Sequence, residues 1–233
     1  MGVNTTTGLI YNSTGMILFY IAAGITLLAS LILRAVHKKY AAIDNNMNVT
    51  GKEVAEKILA ANGLTDIKIG QISGSLTDYY NNSTKEIRLS ESVFGENSVA
   101  AIAVAAHECG HAIQYKEGYG PIKMRNAVAK VASVGNTIGY ISLVIGLLAS
   151  VTGFVYIGVA LMFFALIFQL VTIPVEFDAS KRARKELLRL GLINEEEFPK
   201  VRKMLYAAGF TYVAGLLSSI LEIFRLLSYA RKK

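Results

Sequence analysis

Residues Phe154–Ala183 read FVYIGVALMFFALIFQLVTIPVEFDASKRA: an uncharged run to Ile173, then Glu176 and Asp178, then Lys181 and Arg182. A helix rises about 1.5 Å per residue, so about twenty apolar residues cross a hydrocarbon core of roughly 30 Å. Phe154–Ile173 meets that length, as do Val131–Ser150 just upstream and Met16–Leu33 (MILFYIAAGITLLASLIL) near the N-terminus. A fourth run, Tyr206–Leu221, is shorter and stops at Glu222. The expected fold is therefore a mainly α membrane protein with three to four transmembrane helices.

Composition agrees: 53% of residues are apolar and 18% charged, with a mean hydropathy of +0.42. The net charge of +7 would suit nucleic acid, but its placement does not. Arg34, Lys38 and Lys39 follow the first span, Arg125 and Lys130 precede the second, and Lys181, Arg182, Arg184 and Lys185 follow the third. Lys and Arg held on the cytoplasmic side produce this pattern, and no nucleic-acid partner is expected. Met1–Gly15 has no basic residue, and no cleavage site of small residues follows, so the first span reads as a retained anchor with its N-terminus outside. The myristoylation pattern at Met1–Thr6 is discounted for that reason. The Asn-x-Ser/Thr triplets at Asn4, Asn12, Asn48 and Asn82 carry no weight without a host. Cys109 is the single cysteine, which excludes an internal disulfide and a Cys-rich zinc knuckle.

The sizeable water-soluble segment runs from about Tyr40 to Met124. After a polar linker, Asp44–Asn48, Thr50 and Glu53 have the spacing of a capping box, and Gly63 marks the end of the helix they start. Asp66–Gly70 and Lys85–Leu89 alternate as strands do, and Asn81-Asn82-Ser83 suggests a hairpin that includes Leu76–Tyr80. Ser98 caps a helix over Val99–Tyr115. Only Val99–Ala106 of it is unbroken and apolar, too short to cross, so it is expected to be buried in a small α+β domain. The chain divides on this reading into an anchor (1–39), a catalytic region (40–125), a transmembrane hairpin (126–175), a cytoplasmic helix (176–204) and a membrane-associated C-terminal helix (205–233).

His107-Glu108-Cys109-Gly110-His111 lies on the Val99 helix. At 3.6 residues per turn the two histidines share a face and can bind one Zn²⁺, while Glu108 reaches a water without being a ligand. The chain has three histidines, and two of them fall at this spacing around a glutamate, which argues against chance. Zinc in a catalytic site takes three protein ligands and leaves a position open. His37, among Arg34, Lys38 and Lys39, reads as an interfacial cation, and no Asn-Pro-Asp-Gly segment of an intramembrane site-2 protease is present. Only Val151-Thr152-Gly153 separates two spans of equal length, so they form a hairpin that leaves the membrane on the side it entered. Glu176 then returns to the level of the His107 helix. A polar span end would also explain a carboxylate there, but a His₂Glu set is preferred.

HECGHAIQ (His107–Gln114) and, beyond the hairpin, LVTIPVEFDASKRA (Leu170–Ala183) resemble the YugP-like neutral zinc metallopeptidases of bacteria and archaea. AIAVAAHE (Ala101–Glu108), LTDYY (Leu76–Tyr80), IRLSESV (Ile87–Val93) and FTYVAGLLSSI (Phe210–Ile220) fit the same family, so the resemblance covers nearly the whole chain. It implies a zincin-like domain of gluzincin type, with His107, His111 and Glu176 as ligands of one Zn²⁺ and Glu108 as general base. Related membrane gluzincins carry Glu-x-x-x-Asp, whereas Ser180 stands fourth after Glu176. The residue expected to orient a ligand histidine is then Asp178 or Ser180, unless an acidic partner is absent.

Other residues have plainer readings. Cys109, on the far face, is a small buried hydrophobe. Gly110 admits another backbone close to the metal helix. Gln114 and Tyr115 touch substrate or simply pack. Tyr79 and Tyr80 are a half-buried aromatic pair on a strand that could align substrate. Arg182 is a cytoplasmic flank rather than an oxyanion donor, and Glu222 with Arg225 is a helical charge pair. The expected function is peptide-bond hydrolysis at the cytoplasmic face of the cell membrane, acting on protein or peptide substrates associated with the bilayer. The competing class is a zinc-stabilised membrane scaffold with little turnover. Oligomeric state and physiological substrate are not readable from the sequence.

Overall fold

In the computed structural model, which describes residues 13–149 and 151–230, the elements follow in chain order. They are α1 (Ser13–Ala41), α2 (Gly51–Ala61), β1 (Lys68–Ile72), β2 (Tyr79–Asn81), β3 (Glu86–Ser90), α3 (Glu91–Phe94), α4 (Val99–Lys116), α5 (Gly120–Leu148), α6 (Thr152–Arg189) and α7 (Phe198–Ala230). Among them α1, α5, α6 and α7 are long and apolar enough to cross a membrane. Met1–Thr6, Asn4 and Asn12 lie outside the described residues, as does Ser150.

The chain clusters into two units. One comprises Ser30–Ile122 and Pro174–Phe210; the other takes the residues up to Ala29, Lys123–Ile173 and those from Thr211 onward. In the first, Thr50 caps α2: its hydroxyl accepts the Glu53 N–H at 3.2 Å, and the Glu53 carboxylate accepts the Thr50 N–H at 2.7 Å. A cap of this kind stabilises a helix by about 1 kcal/mol. Gly63, at φ +64°, turns the chain out after α2 in a conformation that favours glycine. Val54, Ala55, Ile58 and Leu59 of α2 join Val99–Ala103, Ala105 and Ala106 of α4 in one core. The Ala-rich stretch is buried, not transmembrane.

The sheet has the order β1-β3-β2, β1 parallel to β3 and β2 antiparallel to it. The hairpin forms as expected, but β1 and β2 begin later than the alternation suggests. Pairing starts where Lys68 meets Glu86, and the loop between them holds Gly74 and Leu76 at positive φ, which no strand accommodates. The expected polar linker is also tied down. Asn45 is buried and bonds both the N–H and the carbonyl of Val49, and the Asn46 N–H donates to Glu197 at 2.9 Å.

In the second unit α5 and α6 pack with their backbones almost in contact. A Cβ on Gly139 would stand 3.0 Å from the Gly158 carbonyl, and one on Gly158 would stand 2.8 Å from that of Gly139. Gly135 meets Leu161 and Gly146 meets Val155, so the two helices run antiparallel, as a hairpin requires. α6 continues without a break through Pro174 to Arg189, and α7 outlasts its apolar run at both ends, from Phe198 to Ala230, with Glu222 paired to Arg225.

Candidate metal centre

α4 starts at Ser98, whose hydroxyl accepts the Ala101 N–H at 3.1 Å, and its small residues let neighbouring elements approach closely. On one face His107 and His111 stand with ring centroids 4.7 Å apart. Cys109 points the other way, buried with its thiol near the Ala55 carbonyl at 3.8 Å. Burial pushes that thiol well above its ordinary pKa, so it is an inert packing residue.

The segment of α6 after Pro174 lies against α4. Its approach depends on Gly110, where a Cβ would be 2.5 Å from the Ala179 carbonyl. That contact brings Glu176 to the histidines. Its Oε2 is 3.2 Å from His107 Nε2 and 3.6 Å from His111 Nε2. The ligating atoms of His107, His111 and Glu176 all lie within 4.8 Å of one another. Donors about 2.1 Å from a tetrahedral zinc stand roughly 3.4 Å apart, so the three residues fit such an ion in both spacing and chemistry.

Each histidine is held from behind. His107 Nδ1 meets the Ser180 hydroxyl at 3.2 Å, and His111 Nδ1 meets Gln114 Oε1 at 3.1 Å. Gln114 is fully buried, and its Nε2 donates to the Val175 carbonyl and to Asp178 Oδ2, both at 2.8 Å. Its Oε1 can only accept, which places the proton of His111 on Nδ1 and frees Nε2 to face Glu176. Arg182 closes the chain by binding Asp178 and Glu117, its guanidinium 5.5 Å from the Tyr119 ring. Both residues weighed as orienting groups take part: Ser180 directly on His107, Asp178 through Gln114 on His111. Gln114 is what sequence reading undervalued, although its place three residues after His111 puts it on the same face.

Glu108 is 6% exposed. Burial raises its pKa, while His107 and His111 pull it back. At His111, burial opposes the charged ring, but the bond and charge of Glu176 outweigh it and raise its pKa. Tyr80 packs on Tyr115 with centroids 5.7 Å apart, and burial pushes its hydroxyl up to about 12; Tyr79 is exposed. His37 departs from the expected interfacial cation: it is buried and its Nε2 has no hydrogen-bond partner among the described residues.

Residues 15–231 match the family described as "Putative neutral zinc metallopeptidase". The chain is 36% identical over 204 residues to the "Putative membrane protease YugP" of Bacillus subtilis (strain 168), covering 88% of this chain and 91% of that one. No solved structure matches. With four apolar helices and a cluster of two histidines and a glutamate that fits zinc, this multi-pass membrane protein belongs to the neutral zinc metallopeptidase family that the profile describes.

Proposed function

We propose that the protein is a membrane-embedded zinc metalloendopeptidase of gluzincin type, with His107, His111 and Glu176 as ligands of one zinc ion and Glu108 as general base. The observation that carries the reading is the convergence of Glu176 on both Nε2 atoms from a helix distant in sequence. When bound there, zinc supplies a Lewis acid that makes water a nucleophile near neutral pH. Ser180 and Gln114 fix the two rings, and a ligand held this way loses little freedom on binding. The Glu108 carboxylate accepts a proton from the attacking water and returns it to the departing amine as the C–N bond breaks. Burial acts to raise its proton affinity, and the charge of a bound zinc would act against it.

The site belongs to a catalytic region of about residues 40–125 completed by the helix after residue 176, with 1–39 as anchor, 126–175 as hairpin and 205–233 as a C-terminal membrane helix. The basic flanks of the apolar runs support a cytoplasmic location at the cell membrane. Substrates are then proteins or peptides held near that face. A zinc-stabilised scaffold is the competing reading, and a base beside three ligands disfavours it, because a structural site is closed by a fourth.

Cleavage of an unfolded protein by detergent-purified wild type and Glu108→Gln, with zinc assayed on both, is the test. Wild type is expected to cleave, and the zinc-loaded variant to lose roughly 10²–10⁴-fold in rate. Two zinc-loaded, inert samples would favour the scaffold, and two zinc-free folded samples would remove the metal site.

A further inference from the structure

The C-terminal part of α1 presents polar residues that the metal chemistry leaves unused. Ser30, Leu33, Arg34 and His37 share a helix face and form one wall of a cavity of about 580 Å³, with Ser75 and Leu76 opposite. His37 is 8% exposed, and its Nε2 is buried with no hydrogen-bond partner in the described structure. A buried ring nitrogen in that state is costly unless something binds it. Arg34 is exposed and forms no ion pair among the described residues. Leu76 holds a left-handed backbone, φ +58°, and keeps its side chain partly exposed on the cavity wall. A branched residue rarely stays there without a reason.

The cavity adjoins the strand most available to a substrate. β2 begins at Tyr79, three residues after Leu76, and only one of its edges is paired, to β3. Through Tyr80 and Tyr115 it lies on α4. An extended polypeptide added to the free edge of β2 and continuing past Tyr79 would reach Leu76 in roughly 10 Å. Asp78, between the two, acts electrostatically on both His37 and Glu108, while its own oxygens accept the Ser90 N–H at 2.7 Å and the Ser90 hydroxyl at 3.1 Å.

We propose that this cavity is a substrate subsite that binds a carboxylate, on an acidic side chain or at a chain end, through the Arg34 guanidinium and the His37 Nε2–H. An unpaired cation and a buried ring nitrogen without a partner, which donates when the ring proton sits on Nε2, complement an anion in one cavity. The unpaired edge of β2 beside this wall is what favours a polypeptide over a lipid phosphate. The inference rests on the peptidase reading, so binding and turnover are measured separately.

The probes are labelled dodecapeptides: a neutral amidated parent, the same peptide with a free C-terminus, and versions with glutamate scanned along it. Anisotropy on the full, zinc-loaded Glu108→Gln chain in detergent reads binding. At least one acidic peptide is expected to bind about tenfold tighter than the parent. Arg34→Gln, at an exposed position that folding tolerates, and His37→Phe should each abolish that advantage. The free-acid and glutamate arms tell a chain end from a side chain. Equal binding of every peptide, or an advantage that survives both substitutions, overturns the inference. So does the absence of acid preference combined with Arg34-dependent binding of short-chain phosphatidylglycerol, which would assign the cavity to lipid. Wild-type turnover of the same peptides is read alongside: its failure strikes the peptidase reading, whereas the anisotropy still decides the subsite.

Discussion

α4 and the first half of α6 are both strongly apolar, yet they use that property in opposite ways. In α4 half of the apolar residues are alanine, and Val99–Ala103, Ala105 and Ala106 are wholly buried against protein. In α6 they are large, and Phe154, Tyr156, Ile157, Phe163, Phe164 and Leu170 are exposed. A helix crowded by protein needs small side chains so that backbones can approach; one surrounded by lipid gains from bulk on its outer face. Side-chain size, more than hydropathy, separates a helix that presents the candidate metal ligands from one that crosses the bilayer.

The sharpest way to break this contrast is to place one arginine on each helix. Ala103→Arg buries an unpaired charge and should cost more than about 4 kcal/mol, so that no folded chain is recovered. Phe163→Arg, on an exposed face where the long side chain can reach the interface, should cost about 3–4 kcal/mol of insertion energy and still give inserted protein, read as yield after detergent extraction. Equal yields would erase the distinction. Gly110→Ala tests the close approach on α4: it should cost about 1–3 kcal/mol in thermal unfolding. Zinc content should fall with it, because Glu176 and Ser180 ride on the helix that is pushed away. Gln114→Leu keeps the volume but releases His111, and zinc affinity by chelator competition is expected to drop about 10–100-fold. The smallest effect separates two isoleucines. Ile102→Val in α4 should cost about 0.5–1.5 kcal/mol, whereas Ile157→Val in α6 should stay within about 0.5 kcal/mol in denaturation midpoints.

Much of this was legible in the sequence because it rests on local pattern. The apolar runs, the capping box at Thr50, the hairpin into Glu86 and the His107–His111 face all follow from spacing alone. Other features depend on contacts made at a distance. β1 starts at Lys68 because Glu86 is its partner there, not because of its own alternation. α6 passes Pro174, where a local rule would end it; a helix in apolar surroundings keeps its remaining backbone bonds, because no water replaces them. Gln114 reads as an ordinary polar residue until α6 is laid beside α4, and that contact is what gives Ser180 and Asp178 each a part. His37 looked cationic from its basic neighbours, but burial favours the neutral ring.

The placement of Glu176 on the same unbroken helix as the third apolar run also sets the order in which the protein is made competent. The ribosome releases the two histidines before the hairpin that precedes Glu176 exists. On the proposed assignment, a nascent chain anchored by α1 but still lacking the hairpin holds two of its three ligands and no complete centre. Hydrolytic power would then arrive only once the hairpin has been made and inserted, which protects the translation machinery and its neighbours from a protease still in synthesis.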